Sequence, residues 1–496
     1  MIASDLSADR NCAGRSCASA SGPVDRRAVR WLRESAWLLC VAVFALTSAG
    51  CATYAGRIES TRMAVYDGEL GAAAENIDAL VARAEAGNRT AMADYPLLLL
   101  ERASIYQMLG DHERAVADLN DADEMLEVLD LTRDPGGAAA NYLWSDSRSL
   151  YQAPVYEKLM VNVCALASYL HMGDLVGARV EARRIEVMAE YFDNEERTTG
   201  HPVLAVAWYM AGITMELNDE RPSALRFYLD AYALADLPGL AESLARLAQG
   251  TPFATNNEVL RAREQLGLGA DDAVPPRPER EVIVLVMSGL PPIRQAVVLP
   301  IGVAMAAIRA DVSSNYQLSS EQQAQLGRAM AEDLLTTVNY PELVVHQNPV
   351  HRISLAVGGH RQNLDILGNI EEYALQQWES QRAGIAFAAV VRALVRIVAR
   401  ETIQGVTRAA DSGNGVAQTI GFIAGLAAQG AMAAADRPDT RTWTFMPAYV
   451  WMERIPLTEG EHTVVLRGSG GSGFEYDLPI TMGATGTRVV FVRTPM

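Results

Sequence analysis

A spacing constrains this chain more than any other feature. In the stretch ERASIYQMLGDHERAVADLNDAD, Ala103, Tyr106, Gly110, Ala115, Leu119 and Ala122 fall at offsets 0, 3, 7, 12, 16 and 19. Small residues at helical period let two helices approach closely, and a glycine at the junction supplies the turn between them. Tyr106 and Leu119 are then free to fill the gap toward the next pair. LASYLHMGDLVGARVEARRIEVM repeats the offsets with Leu166, Tyr169, Gly173, Ala178, Ala182 and Ile185. GITMELNDERPSALRFYLDAYAL repeats them with Gly212, Met215, Asp219, Ala224, Tyr228 and Ala231, and places Pro222 in a first helical turn, where proline is tolerated. From about Thr61 to Leu268 almost nothing reads as strand. A hairpin that cannot bury its own apolar face must stack on a neighbour. Three helical hairpins are predicted, with a fourth candidate near residues 65–95.

These positions resemble those of a tetratricopeptide repeat. The resemblance implies an all-α solenoid over residues 51–268, whose concave face commonly takes an extended peptide or a partner helix. The units do not follow the constant period of about 34 residues that such repeats keep, so inserts must separate them. One insert, residues 134–158, mixes Pro, Gly and Ser with Tyr142, Trp144, Tyr151 and Tyr156. Those aromatics either pack across the groove or present a partner-binding surface.

The N-terminus carries a second resemblance. Arg26, Arg27, Arg30 and Arg33 precede a short apolar run from about Ala36 to Leu46, followed by Ser48, Ala49, Gly50 and Cys51. The run is too short for a bilayer core, which needs about 20 residues. Basic region, apolar region and small residues have the order of a signal peptide. Small residues just before a cysteine resemble the lipobox of bacterial lipoproteins, although Ser48 stands where an aliphatic is usual. The resemblance implies cleavage of residues 1–50, lipidation of Cys51 and, with Ala52 following, an outer-membrane anchor facing the periplasm. The polar leader of residues 1 to about 28 suggests Val29 as an alternative start. Once Cys12, Cys17 and Cys40 leave with the leader and Cys51 takes lipid, Cys164 is left alone in an apolar helical run and is expected to be a core residue.

The pattern changes after GADDAVPPRPERE, residues 269–281, which reads as a linker. Residues 282–496 form a strand-rich domain in this reading. EVIVLVMSGLPPIRQAVVLPI is expected as strand, turn and strand. Further strands are expected at Glu342–His346, His351–Ala356, Thr442–Arg454, Glu461–Arg467 and Thr487–Val492, with a hairpin turn at Thr458–Gly460. A helical hairpin insert is expected at 382–435. Its first helix puts Arg392, Arg396 and Arg400 four residues apart on one face. Its second, residues 416–435, has no charge and carries Gly421 and Gly425 at a spacing that lets helices touch. Packing within the monomer, contact in a homo-oligomer and insertion into a membrane all remain open for this hairpin. The fold class expected is α+β: an N-terminal helical-repeat solenoid and a strand-rich C-terminal domain with an Ala/Gly-rich insert.

YQAPVYEKLMVNVCALASYLHMGDLVGARVEARRIE, with Tyr156, Glu157, Lys158, Gly173, Asp174, Arg179, Val180, Glu181, Arg183 and Arg184, resembles the core of a family of uncharacterised bacterial tetratricopeptide-repeat outer-membrane lipoproteins. VMSGLPPIRQ and RPDTRTWTFMPAYVWMERIPLTEGEHTVVL extend the resemblance into the second half. It implies no common activity and no catalytic residue. Glu181 is expected in a buried ion network that pins two hairpins.

Net charge and missing chemistry exclude several classes. A formal charge of −18 argues against nucleic acid and anionic lipid as partners. His112, His171, His201, His346, His351, His360 and His462 are scattered; only the 346–360 group could converge, on alternating strands. RGSGGSG at 467–473 lacks the Lys and following helix of a phosphate loop, and Asp271 and Asp272 sit in linker composition. No cofactor or metal is expected. What is expected is a non-enzymatic, lipid-anchored scaffold that binds a protein partner in envelope biogenesis or secretion. A homo-oligomeric ring or pore subunit and a glycan-acting enzyme are the alternatives.

Overall fold

The computed structural model describes residues 54–131, 151, 153–195, 202–269, 272–310, 319–331, 337–348, 350–409, 438–470 and 473–495. Helices come first: α1 (Tyr54–Arg57), α2 (Glu59–Tyr66), α3 (Leu70–Glu85), α4 (Arg89–Ala93), α5 (Tyr95–Leu109), α6 (His112–Leu131), α7 (Val155–Met172), α8 (Leu175–Glu195), α9 (Pro202–Leu217), α10 (Arg221–Leu234), α11 (Leu240–Ala248) and α12 (Asn257–Gln265). Each packs chiefly on its chain neighbours, most closely α5 with α6, α7 with α8 and α9 with α10.

The turn position of the sequence pattern has a common backbone. Gly110, Gly173 and Asp219 all adopt the left-handed conformation, at φ of 77°, 75° and 60°. This conformation lets the chain reverse without a long loop, and Asp is among the few side chains that tolerate it. Ala103, Ala115, Leu119, Ala122, Ala178, Ala224, Tyr228 and Ala231 are all buried to within about 1 %. Tyr106 is buried at 5 % and Tyr169 is half-buried. At Gly212 the helices meet so closely that a Cβ would lie 2.3 Å from Cδ1 of Tyr228.

The strands follow: β1 (Arg280–Ser288), β2 (Ile293–Pro300), β3 (Thr337–Val344), β4 (Val350–Val357), β5 (His360–Asn363), β6 (Asp365–Asn369), β7 (Tyr449–Pro456), β8 (Gly460–Gly470), β9 (Glu475–Met482) and β10 (Gly486–Thr494). Helices α13 (Ile301–Ala310), α14 (Ser320–Ala331) and α15 (Ile370–Ala409) lie between them. One sheet has the order β10-β1-β7-β6, a second β5-β4-β8-β9, and β2 pairs with β3 alone. The fold is α+β.

Strand β1 explains the layering. REVIVLVMS is buried at every residue after the first, which requires cover on both faces. Ile283, Leu285 and Met287 join one core with the helices, while Val282, Val284 and Val286 join a second core against Ile353, Leu355, Val464 and Leu466 of the other sheet. Helices, first sheet and second sheet are thus three layers of one compact unit, residues 53–496.

Several expectations are corrected. The expected strand, turn and strand are present as β1 and β2, but the two strands do not pair with each other: β1 pairs in parallel with β10 and antiparallel with β7, and β2 pairs with β3. The turn at 458–460 joins strands in different sheets, because β7 and β8 each pair elsewhere. Residues 442–448 are irregular, and β7 begins only at Tyr449. Helix α15 begins at Ile370, twelve residues before the expected insert. Its Trp378, Ile385, Ala386, Ala389, Val390 and Leu394 pack on Ile301, Ile308, Val338 and Tyr340. The second insert helix, residues 416–435, lies outside the described residues.

Candidate functional site

The helical array holds an irregular stretch of its own chain. Helix α5, YPLLLLERASIYQML, is buried almost all round, and Glu101 sits fully buried in its middle. Glu101 Oε1 accepts from the Thr444 amide at 2.8 Å and from Tyr54 Oη at 3.0 Å, and its Oε2 accepts from the Phe445 amide at 2.8 Å. Beside it on the same helix, Leu100 O and Ser104 Oγ accept from Trp443 Nε1 at 3.1 and 2.9 Å. In the first turn of α7, Glu157 Oε1 accepts from Thr442 Oγ1 at 3.2 Å and the Trp443 amide at 3.4 Å, while Tyr151 donates to its Oε2. Arg441 pairs with Asp439 at 2.7 Å and reaches Asp94 at 3.8 Å. Arg493 of β10 donates to Phe445 O. An irregular segment without ladder partners needs such acceptors if its amides are to be buried. Burial pushes Glu101 up to about 7, against the lowering pull of the Thr444 and Phe445 amides. Burial also raises Glu157, opposed by Tyr151. The array therefore holds main-chain amides of an irregular segment, residues 439–445, that turns at Thr444 and Phe445.

A second buried cluster joins array and sheet. Glu216 of α9 meets Arg246 at 2.9 Å, Arg454 at 3.3 Å and Arg277 at 3.7 Å, and accepts from Tyr228 Oη at 2.7 Å. Glu281 of β1 meets Arg454 and Arg277, each at 2.7 Å. Burial alone would raise Glu216, but Arg454, Arg246, Tyr228 and Arg277 together bring it down to about 2. A third cluster ties α6, α7 and α8. Asn162 donates to Asp123 at 3.1 Å and Glu181 at 3.4 Å, and Arg184 reaches Glu181 at 3.1 Å and Asp123 at 3.3 Å.

Opposite in character is the outer face of α8. Val176, Val180 and Val187 are 73 %, 48 % and 66 % exposed. Offsets of four and eleven put them within about 40° of one another around the helix. Arg179 and Arg183 lie beside this stripe and pair with Glu220 at 2.5 and 3.2 Å. Exposed β-branched residues lower helix propensity, and these three leave about half or more of their surface in water, so local stability does not account for them.

The remaining sequence candidates divide into three groups. Tyr151 and Tyr156 are 3 % and 7 % exposed, and Tyr156 packs edge-on against Tyr373 with ring centres 5.4 Å apart. They are interior groups and offer no partner surface, because the carboxylate network and the core have taken them in. Arg392 is half-buried on α15. Cys51, Tyr142, Trp144, Gly421, Gly425 and the side chains of Arg396 and Arg400 lie outside the described residues. Cys164 is buried beside Met287 at 3.9 Å, and burial pushes its thiol up to about 12. His346 and His351 line one cleft, which His360 does not reach. Among the described residues no group of three or more His, Cys, Asp or Glu could hold a metal ion. Sequence inspection missed Glu101, Glu216, Trp443 and Arg454. An adjacent Glu-Arg pair inside an apolar run, as in YPLLLLERAS or YVWMERIP, was the available signal for Glu101 and Arg454.

No protein-family model matches the chain, and no curated protein matches it. Among the described residues no helix is long and apolar enough to cross a membrane.

Proposed function

We propose that this chain is a non-enzymatic scaffold of the bacterial outer membrane. In this account it is anchored at Cys51 by lipid, faces the periplasm, and docks a protein partner in envelope biogenesis or secretion. The helical array acts as a tetratricopeptide-like solenoid whose working surface is the outer face of α8. The observation that carries the proposal is the pairing of an exposed valine stripe with an inner face already filled by residues 439–445. A partner that lays an apolar helix along Val176, Val180 and Val187 would cover about the area that this helix leaves in water. The basic, short apolar leader ending at Cys51 supports the anchor.

Site-specific photo-crosslinking in cells tests this role. A benzophenone side chain at Val180 or Val187 is expected to give one recurring adduct with an envelope protein of different sequence. A ladder of self-adducts would favour the homo-oligomer instead, and no adduct at either position would contradict docking on α8.

A further inference from the structure

A cleft of about 510 Å³ opens where the loop after β3 meets the start of α15 and the first residue of β7. It lies within the size range of small-ligand sites. His346, Gln347, Asn348, His351, Glu371 and Tyr449 line it. All six side chains end in planar groups that can form hydrogen bonds, the Tyr449 phenol among them. Neither Lys nor Arg is among them, and burial lowers the His346 imidazole, which favours its neutral form.

The cleft is a built arrangement. Asn348 Oδ1 accepts from the Leu290 amide at 2.9 Å, and its Nδ2 donates to Leu290 O at 3.1 Å and to Glu371 Oε2 at 2.8 Å. Glu371 Oε1 accepts from Tyr449 Oη at 3.3 Å. Asn348 is thereby fixed as a positioning residue, and Glu371 is oriented while keeping acceptor capacity on both oxygens. On the rim, Tyr66 of α2 lies 3.2 Å from His346 Nδ1, with its ring edge-on at 5.7 Å. Gln347 and His351 are exposed at the mouth of the cleft.

The chemistry of this lining selects among ligand classes. Phosphate and carboxylate ligands want Arg or Lys, and neither is among the described residues that line it. An apolar ligand wants an apolar wall, and a metal wants three converging ligands. Amide, imidazole, carboxylate and phenol groups beside an aromatic face suit hydroxyl groups. We infer that the cleft binds a neutral, hydroxyl-rich oligosaccharide. It binds without cleaving, because glycoside hydrolysis ordinarily uses a pair of carboxyl groups across the scissile bond, and among the described residues Glu371 is the one carboxylate in the lining.

Chitotriose and cellotriose are the probes, titrated into the purified full-length protein and followed by calorimetry, with product analysis by mass. Saturable binding of either sugar is expected, with the sugar recovered intact. The double variant Gln347→Ala/His351→Ala is expected to weaken that binding at least tenfold. Both side chains are exposed, so the variant should keep the wild-type far-ultraviolet spectrum and melting temperature. Tyr449→Phe, which removes one hydroxyl, provides a second, milder perturbation with a smaller loss. No saturable binding of either sugar would overturn the inference. Binding that the double variant leaves unchanged would overturn it as well, since the sugar would then sit elsewhere.

Discussion

Glu101 shows how one buried carboxylate can organise two halves of a chain. Three donors, the Thr444 and Phe445 amides and the Tyr54 hydroxyl, compensate a group that burial holds near pKa 7. Glu101→Gln keeps one acceptor but turns an amide NH2 toward a backbone donor, so a loss of about 1–3 kcal/mol is expected in urea unfolding. The pH dependence has a definite sign. The folded chain holds the extra proton between the unfolded value of 4.5 and the folded value of about 7, so this group's contribution falls as pH rises through that window. The variant is therefore expected to lose less stability than the wild type between pH 5 and pH 8; equal slopes would contradict the assignment. His112 runs the other way. Burial lowers it to about 4, with the His171 ring 4.4 Å away, so its contribution is lost as pH falls from 6.5. Comparing variant with wild type, and not reading the wild-type curve alone, isolates Glu101.

At the scale of elements, helix pairs are set by contact distance. Gly212→Ala would drive a Cβ to 2.3 Å from Tyr228 Cδ1, and overpacking of this kind costs about 1–3 kcal/mol. Gly110→Ala meets nothing within 4 Å, so its cost is only that of the left-handed backbone, about 1–2 kcal/mol. Both losses should appear as lowered urea midpoints with unchanged m-values; a neutral Gly212→Ala would mean that the helices sit further apart. These pairs were legible in the sequence because their contacts are local and their period is 3.6. Strand pairing was not. Nothing in EVIVLVMSGLPPIRQ says that β1 will pair with β10, about two hundred residues later, because a fully apolar strand matches many partners equally. The cleft was half legible: His346 and His351 stood out, whereas Glu371 and Tyr449 reach it only through the start of α15 and the register of β7.

For the whole molecule, the seam between array and sheet carries the ionic cluster around Arg454. Removing this cation as Arg454→Met leaves Glu216 and Glu281 with less compensation in a buried site, and a loss of about 3–5 kcal/mol is expected. Glu216, held near 2 in the folded chain, contributes fully above pH 4.5 and loses that contribution as pH falls toward 2, so acid unfolding of the wild type should steepen there. Helices and the first sheet share one core through Leu285, Met287, Trp443 and Phe491, so helical signal and tryptophan emission should change together in denaturant. The central claim is that residues 439–445 are a permanent part of the helical array, which leaves the outer face of α8 for a partner. Native-state hydrogen exchange at the Thr444 and Phe445 amides tests it most directly. The account predicts that both amides exchange only with global unfolding, at the same free energy as core amides of α5 and α7. Exchange through a cheaper local opening, with the helices still protected, would contradict it and would mean that the inner face can be vacated for another peptide.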